Sequence, residues 1–284
     1  MRLPIGNWVE EGVNWLGTNA DGFFEFLSKL IERSVESITD LLTWPSAYIL
    51  IAIFTVLAFL IGRWSLSLLT LIGLFIIEAL GYWEPTMSTL ALVIVATILS
   101  IVIGIPLGIA CGRSDSVSRI MRPVLDFMQT MPAFVYLLPA VFLFGLGIVP
   151  GVIASVIFAV PPTIRLTELG IRQVPEDMME AASAFGSTPM QTLWKVQLPV
   201  AMPTLMAGVN QTIMLSLSMV VIASMIGAQG IGAEVYRSVT QLKIGQGFEA
   251  GLAVVLLAII LDRFSQHSFK KINPKNKERD VHEA

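Results

Sequence analysis

Cysteine is nearly absent. Cys111 is the only one in 284 residues, and histidine occurs only at His267 and His282. A single thiol excludes an intrachain disulfide and a cysteine metal cluster. Cys111 reads as a small apolar residue near a helix end, and the histidines as solvated side chains in or beside a polar tail. Charge is also scarce, at 14% of residues against about 25% in soluble domains. With 55% hydrophobic residues and a mean hydropathy of +0.75, that deficit excludes a soluble globular domain. The chain has no G-x-x-x-x-G-K-S/T loop, so any nucleotide chemistry belongs to another polypeptide. No Ser-His pair, histidine-rich cluster or intramembrane carboxylate pair points to catalysis. The basic residues are scattered apart from a short tail, which excludes a nucleic-acid footprint. Trp8, Glu10, Glu11 and Asn14 interrupt the apolar core that a signal peptide needs.

What the chain has in quantity is long apolar runs. A helix needs about 20 apolar residues to cross a bilayer. Seven stretches approach that length: 45–61, 66–80, 86–111, 128–147, 151–167, 203–226 and 248–261. The expected fold is therefore all-α, a polytopic membrane helix bundle with about seven transmembrane helices. Arginine and lysine concentrate in alternate connections: Arg63; Arg113, Arg119 and Arg122; Arg165, Arg172 and Lys195; then Arg263, Lys270, Lys271, Lys275, Lys277 and Arg279. The opposite side receives only Arg2, Lys29, Arg33, Arg237 and Lys243. The positive-inside rule then predicts a cytoplasmic C-terminus and an outside N-terminus, with Tyr82 and Trp83 as aromatic anchors of an external turn.

Three regions follow. Residues 1–44 carry an excess of acidic side chains. Their apolar residues from Phe23 to Leu42 recur at helical spacing, predicting an amphipathic helix with Asp21 as a candidate N-cap. That helix either lies on the outer interface or packs against the bundle. Residues 45–264 form the membrane domain, including a cytoplasmic loop at 168–200, and 265–284 form a cytoplasmic basic tail expected to be disordered.

The loop contains EAASAFGSTPMQTLWKVQLP, Glu180 to Pro199, a polar island in apolar surroundings. Pro175 suits a first helical position, with Glu176 and Asp177 in an acidic first turn. Gly186 supplies the positive φ that commonly ends a helix. Thr188 and Gln191 have capping-box spacing around Pro189. Met190, Leu193, Trp194 and Gln197 share one side of the second helix, and Leu198-Pro199 is expected to end it. Small Ala181 and Ala182 permit close approach by another surface, and Glu180 offers a charge-assisted hydrogen bond. An ordinary interfacial hairpin would share several of these features.

The order of Glu180, Ala181, Ala182, Gly186, Val196, Leu198 and Pro199 resembles the signature loop of bacterial ABC-importer permeases, with Val196 in place of the commoner Ile. Asp126–Pro139, Pro150–Pro175 and Val221–Tyr236 look like the permease subunits of glycine betaine/proline betaine importers, the osmoprotectant ABC systems. The resemblance covers roughly residues 81–263. It implies a type I importer permease of the bacterial cytoplasmic membrane, translocating a betaine or related quaternary amine by alternating access. The implied partners are a second copy of the chain, an ATP-binding subunit docked on the Glu180 loop, an extracytoplasmic substrate-binding protein and membrane lipid. No cofactor is expected in this chain, ATP and Mg being bound by the ATPase.

Candidate pathway or gate residues are the helix-interrupting Pro132, Pro139, Pro161 and Pro162, the aromatics Phe134 and Tyr136 beside Phe127, and Gly227, Gly230 and Gly232 of an outer turn. The prolines shape either a pathway or kinks satisfied by neighbouring Ser, Thr or water. The glycine turn is either a gate or a plain connection. The alternative function is an ion-coupled secondary transporter of a small polar solute. Against it, Glu78, Asp126 and Glu249 are all expected near interfaces, leaving no buried carboxylate relay.

Overall fold

The computed structural model describes residues 5–272, and no strand occurs among them. Two amphipathic helices come first, α1 (Ile5–Asn19) and α2 (Asp21–Thr43). The apolar bundle follows: α3 (Ala47–Ala79), α4 (Trp83–Arg113), α5 (Asp115–Thr130), α6 (Ala133–Phe144) and α7 (Ile148–Arg172). Two short helices, α8 (Glu176–Ala184) and α9 (Pro189–Thr192), lead through a π-helical turn (Leu193–Gln197) into α10 (Leu198–Ser224), α11 (Ile231–Thr240) and α12 (Ile244–Ile272).

Five helical segments are long and apolar enough to cross a membrane, and α5 with α6, bent by 98°, pass the same test only when taken together as a pair. The first of the five is folded in two. Arg63 breaks α3 with φ 61° and ψ −150°. Beyond the break, Ser67 Oγ donates to the Thr55 carbonyl at 3.1 Å. In an unbroken helix those residues would stand about 18 Å apart, so the chain doubles back at Arg63. Phe59 and Trp64 stack edge to face across the break, ring centroids 5.2 Å apart. The stretches 45–61 and 66–80 are thus the two arms of α3.

Contacts sort the turns onto two ends. The Arg63 turn lies by His267 near the end of α12, while Tyr82 reaches the Gln246 carbonyl at its beginning. Arg172, at the end of α7, bonds Asp115 and the Cys111 carbonyl between α4 and α5. Asn210 of α10 donates to Asp262 of α12 at 3.0 Å. One end therefore holds the basic connections and the Glu180 loop; the other holds residues 80–83, 145–148, 225–231 and 240–246. Arg165, however, lies within α7 rather than in a connection, and Arg119 and Arg122 belong to α5 of the bent pair.

The core is the α4–α7–α10 packing, and small residues make it close. Gly104 and Gly108 of α4 face Thr163 and Thr167 of α7, where a Cβ on Gly108 would stand 2.4 Å from Thr167 Cβ. Glycine is required there so that the backbones can approach. Val152, Ala154, Ala159 and Ile164 of α7 are fully buried in this seam.

The N-terminal apolar face packs on the bundle: Ile31, Val35 and Leu42 are buried in the main core, although Phe23, Leu30 and Leu41 are exposed. Asp21 does not cap α2. Ala20 occupies that position, with no side-chain cap bond, and Asp21 stands in the first turn. The tail expected to be disordered from residue 265 begins as helix through Ile272. Its remaining residues, and Arg2, lie outside the described residues.

Candidate coupling site

At the basic end, Pro175 caps α8 from an extended conformation (φ −56°, ψ 139°), one residue earlier than a first helical position. Glu176 and Asp177 follow it, placing negative charge at the positive end of the helix dipole. Gly186 has φ 73°. Its N–H bonds the Ser183 carbonyl at 2.9 Å and that of Ser187 bonds the Ala182 carbonyl at 3.0 Å, the paired geometry of a left-handed helix stop. No neighbour lies within 4 Å of where a Gly186 Cβ would stand, so the turn demands glycine by its torsion and not by crowding.

The second helix starts as its sequence dictates. Thr188 Oγ1 accepts from Gln191 N–H at 3.3 Å, and Gln191 Oε1 accepts from Thr188 N–H at 2.9 Å. Its end differs from expectation. Leu198-Pro199 does not stop the helix; Pro199 enters the first turn of α10. Proline has no N–H to give a carbonyl four residues back, and the widened turn with Leu198 N–H bonded to the Leu193 carbonyl accommodates it. From Pro189 to Ser224 the chain is one helical run of 36 residues.

Of the signature residues, Ala182 and Leu198 are buried, Val196 is half-buried, and Glu180, Ala181, Gly186 and Pro199 are exposed. Leu193, Leu198, Ala201 and Leu205 seat the second helix on Ile171 and against Ile105 and Ile109 of α4. Met190 and Trp194, expected on the same side as Leu193 and Gln197, are 60% and 66% exposed. With Met178 and the 90% exposed Phe185 they leave a set of large apolar side chains open at the bundle's end. The arrangement is a rigid knob, anchored in the membrane core on one side and uncovered on the other.

Beneath it is an ionic cluster that the pattern reading missed. Glu168 of α7 is buried and accepts from Ser118 Oγ at 2.7 Å, Arg172 Nε at 3.0 Å and Arg122 Nη2 at 3.4 Å. Arg172 adds Asp115 at 2.7 Å and the Cys111 carbonyl at 2.9 Å. One side chain thus joins α4, α5 and α7 in the turn preceding the knob. The signals were Glu168 and Arg172 at i,i+4 and Ser118 and Arg122 at the same spacing. Asp126 of α5 pairs with Arg165 of α7.

The candidate pathway residues separate. Pro132 lies in the α5–α6 break and is exposed, as is Phe134. Tyr136 is buried, its hydroxyl donating to the Met128 carbonyl. Pro139, Pro161 and Pro162 do not interrupt their helices. The last two are buried in the seam, where Thr212 Oγ1 donates to the Ala159 carbonyl at 3.0 Å and lies 2.6 Å from Thr163 Oγ1. At the other end, Gly227 and Gly230 have φ 97° and 129° in a tight turn, and Gly232 begins α11 against the Val220 backbone. That turn is pinned by Ile231 N–H to Thr89 Oγ1 at 2.9 Å and Gly147 N–H to the Ile226 carbonyl at 2.9 Å. Among the described residues no group of His, Cys, Asp and Glu is arranged to hold a metal ion.

This architecture has counterparts. Residues 104–274 match the family described as binding-protein-dependent transport system inner membrane component. The chain is 53% identical over 266 residues to the glycine betaine transport system permease protein OpuAB of Bacillus subtilis, covering 94% of each. It is 50% identical over 276 residues to the glycine betaine/carnitine transport permease protein GbuB of Listeria monocytogenes, covering 95% of this chain and 96% of that one. The glycine betaine/proline betaine permease ProW of Escherichia coli is 49% identical over 264 residues, covering 93% of this chain and 75% of that one. Two inward-facing crystal forms of the MetNI methionine ABC transporter superpose with TM-scores of 0.56 and 0.59 at 24% and 21% identity. They cover 65% of this chain and 90% and 93% of those chains, a likeness of fold alone. The chain accordingly belongs to the binding-protein-dependent transport system inner membrane components, the multi-pass permease subunits of ATP-driven importers.

Proposed function

We propose that the chain carries glycine betaine or a related quaternary ammonium osmoprotectant across the cytoplasmic membrane, driven by an ATP-binding subunit docked on the α8–α9 knob. The carrying observation is mechanical. The capped second helix runs without a loop from Pro189 through the π turn into α10, whose Leu205, Val209 and Val220 are buried in the bundle. A push on the exposed Trp194 is therefore delivered to the core rather than dissipated in a flexible connection. The basic end, with the knob, faces the cytoplasm by the positive-inside rule, which puts the N-terminal helices outside. An extracytoplasmic binding protein supplies solute to the opposite end, and a second copy completes the path. The substrate class rests on the relatives at 49–53% identity, whose names specify glycine betaine.

The test is uptake of radiolabelled glycine betaine by vesicles holding the chain co-produced with the products of neighbouring genes. Uptake that requires internal ATP and survives collapse of proton and sodium gradients is expected. Uptake that follows an ion gradient without ATP would establish the ion-coupled carrier instead.

A further inference from the structure

Helix α5 presents three strips to its surroundings. At roughly 100° per residue, Ser118 and Leu125 mark a buried strip, with Val117, Met121 and Met128 packed beside it. A second strip is apolar and uncovered: Ile120 is 71% exposed, Val124 46% and Phe127 63%. The third holds Asp115, Arg119, Arg122, Asp126, Gln129 and Thr130, all exposed, within an arc of about 100°.

The polar strip runs along the packed core of the bundle. Leu125 packs with Val160 and Ile164, which lie about 18 and 12 Å from the Arg172 end of α7. Beside it Asp126 pairs with Arg165 while their side chains remain 65% and 42% exposed. An uncovered ion pair in hydrocarbon is costly. Just above it the helix breaks at Met131-Pro132, where the Tyr136 and Thr130 hydroxyls donate to the Met128 and Phe127 carbonyls. A strip that exposes Asp115, Arg119, Arg122 and Asp126 suits water rather than hydrocarbon as its cover.

We propose that the Asp115–Thr130 polar strip is the wall of the aqueous solute path, running from the basic end to the α5–α6 break. The apolar strip beside it faces lipid or the second copy. This assignment rests on the transport reading above and names the part of the surface that the solute meets. Arg119, Arg122 and Arg165 alternate with Asp115 and Asp126, so the wall offers both signs at close spacing and little net field. That chemistry suits a small zwitterion, which can be handed along without being held by an unbalanced charge.

Single cysteines test the wall. Cys111 is buried and is the only native thiol, so Cys111→Ala provides the background. Asp126→Cys, Gln129→Cys and Thr130→Cys are compared with Ile120→Cys and Val124→Cys, all at positions exposed on the chain. A charged, membrane-impermeant methanethiosulfonate applied to inside-out vesicles should label the first three at least tenfold faster. Glycine betaine should slow labelling at Gln129→Cys and Thr130→Cys, and the adduct should block uptake. Labelling at Ile120→Cys and Val124→Cys with silence along the polar strip would overturn the assignment. So would an adduct at Gln129→Cys that leaves uptake intact. Polar-strip labelling in a chain that takes up no betaine would sink the transport reading while leaving the water-lined wall in place.

Discussion

Gly186 links local torsion to coupling in a way that can be measured. Its φ of 73° lies where side chains with a Cβ are strained, and the space around it is empty. A substituent therefore meets no neighbour, and the cost is conformational only, about 1–2 kcal/mol for an ordinary residue. Asparagine tolerates this region and a β-branched residue tolerates it least. A series Gly186→Asn, Gly186→Ala, Gly186→Val should thus destabilise the α8 stop progressively. One to two kcal/mol corresponds to about a 5–30-fold increase in local opening. The amides of Gly186 and Ser187, which close the turn at 2.9 and 3.0 Å, report it directly by hydrogen exchange. Membrane insertion and yield should be unchanged, because the turn is exposed and outside the core. Transport per ATP hydrolysed should fall in the order Gly, Asn, Ala, Val. Wild-type coupling in the Val variant, with accelerated exchange at Ser187, would refute the idea that rigidity of this turn transmits the stroke.

Five further substitutions test the packing. Gly108→Ala places a methyl 2.4 Å from Thr167 Cβ and 2.7 Å from the Ile164 carbonyl, and should lower thermal stability in detergent by about 1–3 kcal/mol. Gly251→Ala, with nothing within 4 Å, should be neutral or slightly stabilising in the same melt. Thr188→Ala removes the capping box and should cost about 1 kcal/mol of local stability, seen as faster exchange at Gln191 with the rest of the bundle unaffected. Glu168→Ala removes the buried acceptor of Ser118, Arg122 and Arg172, while Arg172 keeps Asp115 and the Cys111 carbonyl, and should cost about 1–3 kcal/mol, read as a lowered melting temperature. Arg122→Ala, whose side chain is 67% exposed, should cost about 0–1 kcal/mol in that assay.

The bundle was legible because hydropathy and charge alternation are one-dimensional signals. Arg63 between two apolar runs announced the doubling back of α3, and Thr188, Pro189 and Gln191 announced their cap. Helix α5 was half hidden because its exposed polar strip dilutes hydropathy, so the fourth stretch was placed from residue 128 when the helix begins at Asp115. The short α11 and the amphipathic α1 were missed for the same reason. Glu168 escaped because its partners come from three helices, and a linear reading sees charges before it sees their neighbours. At the coupling site the local geometry was readable. The uncovered side of the second helix was not, since Met190 and Leu193 belong to one periodic set but only Leu193 meets α4 and α7.

Proline misled for a related physical reason. A missing N–H need not break a membrane helix where protein encloses the orphaned geometry. Pro161 and Pro162 leave the Ile157 and Phe158 carbonyls without their usual donors, yet α7 is helical through both, with Thr212 bonded to the neighbouring Ala159 carbonyl. The π turn before Pro199 keeps the run that starts at Pro189 continuous. At Pro132 the helix does break, and there the Tyr136 hydroxyl turns back to the Met128 carbonyl while Thr130 Oγ1 takes that of Phe127 at 3.3 Å. The difference is burial: Pro161 and Pro162 are enclosed between packed helices, whereas Pro132 stands exposed at the top of the polar strip. Enclosure between packed helices, rather than a partner for the orphaned carbonyl, is what separates the unbroken prolines from Pro132. On that reasoning Thr212→Val should keep α7 helical and loosen only its seam with α10, because it removes a fully buried hydroxyl that bonds the Ala159 carbonyl and lies against Thr163 Oγ1; a lowered melting temperature with unchanged helix content is the expected result.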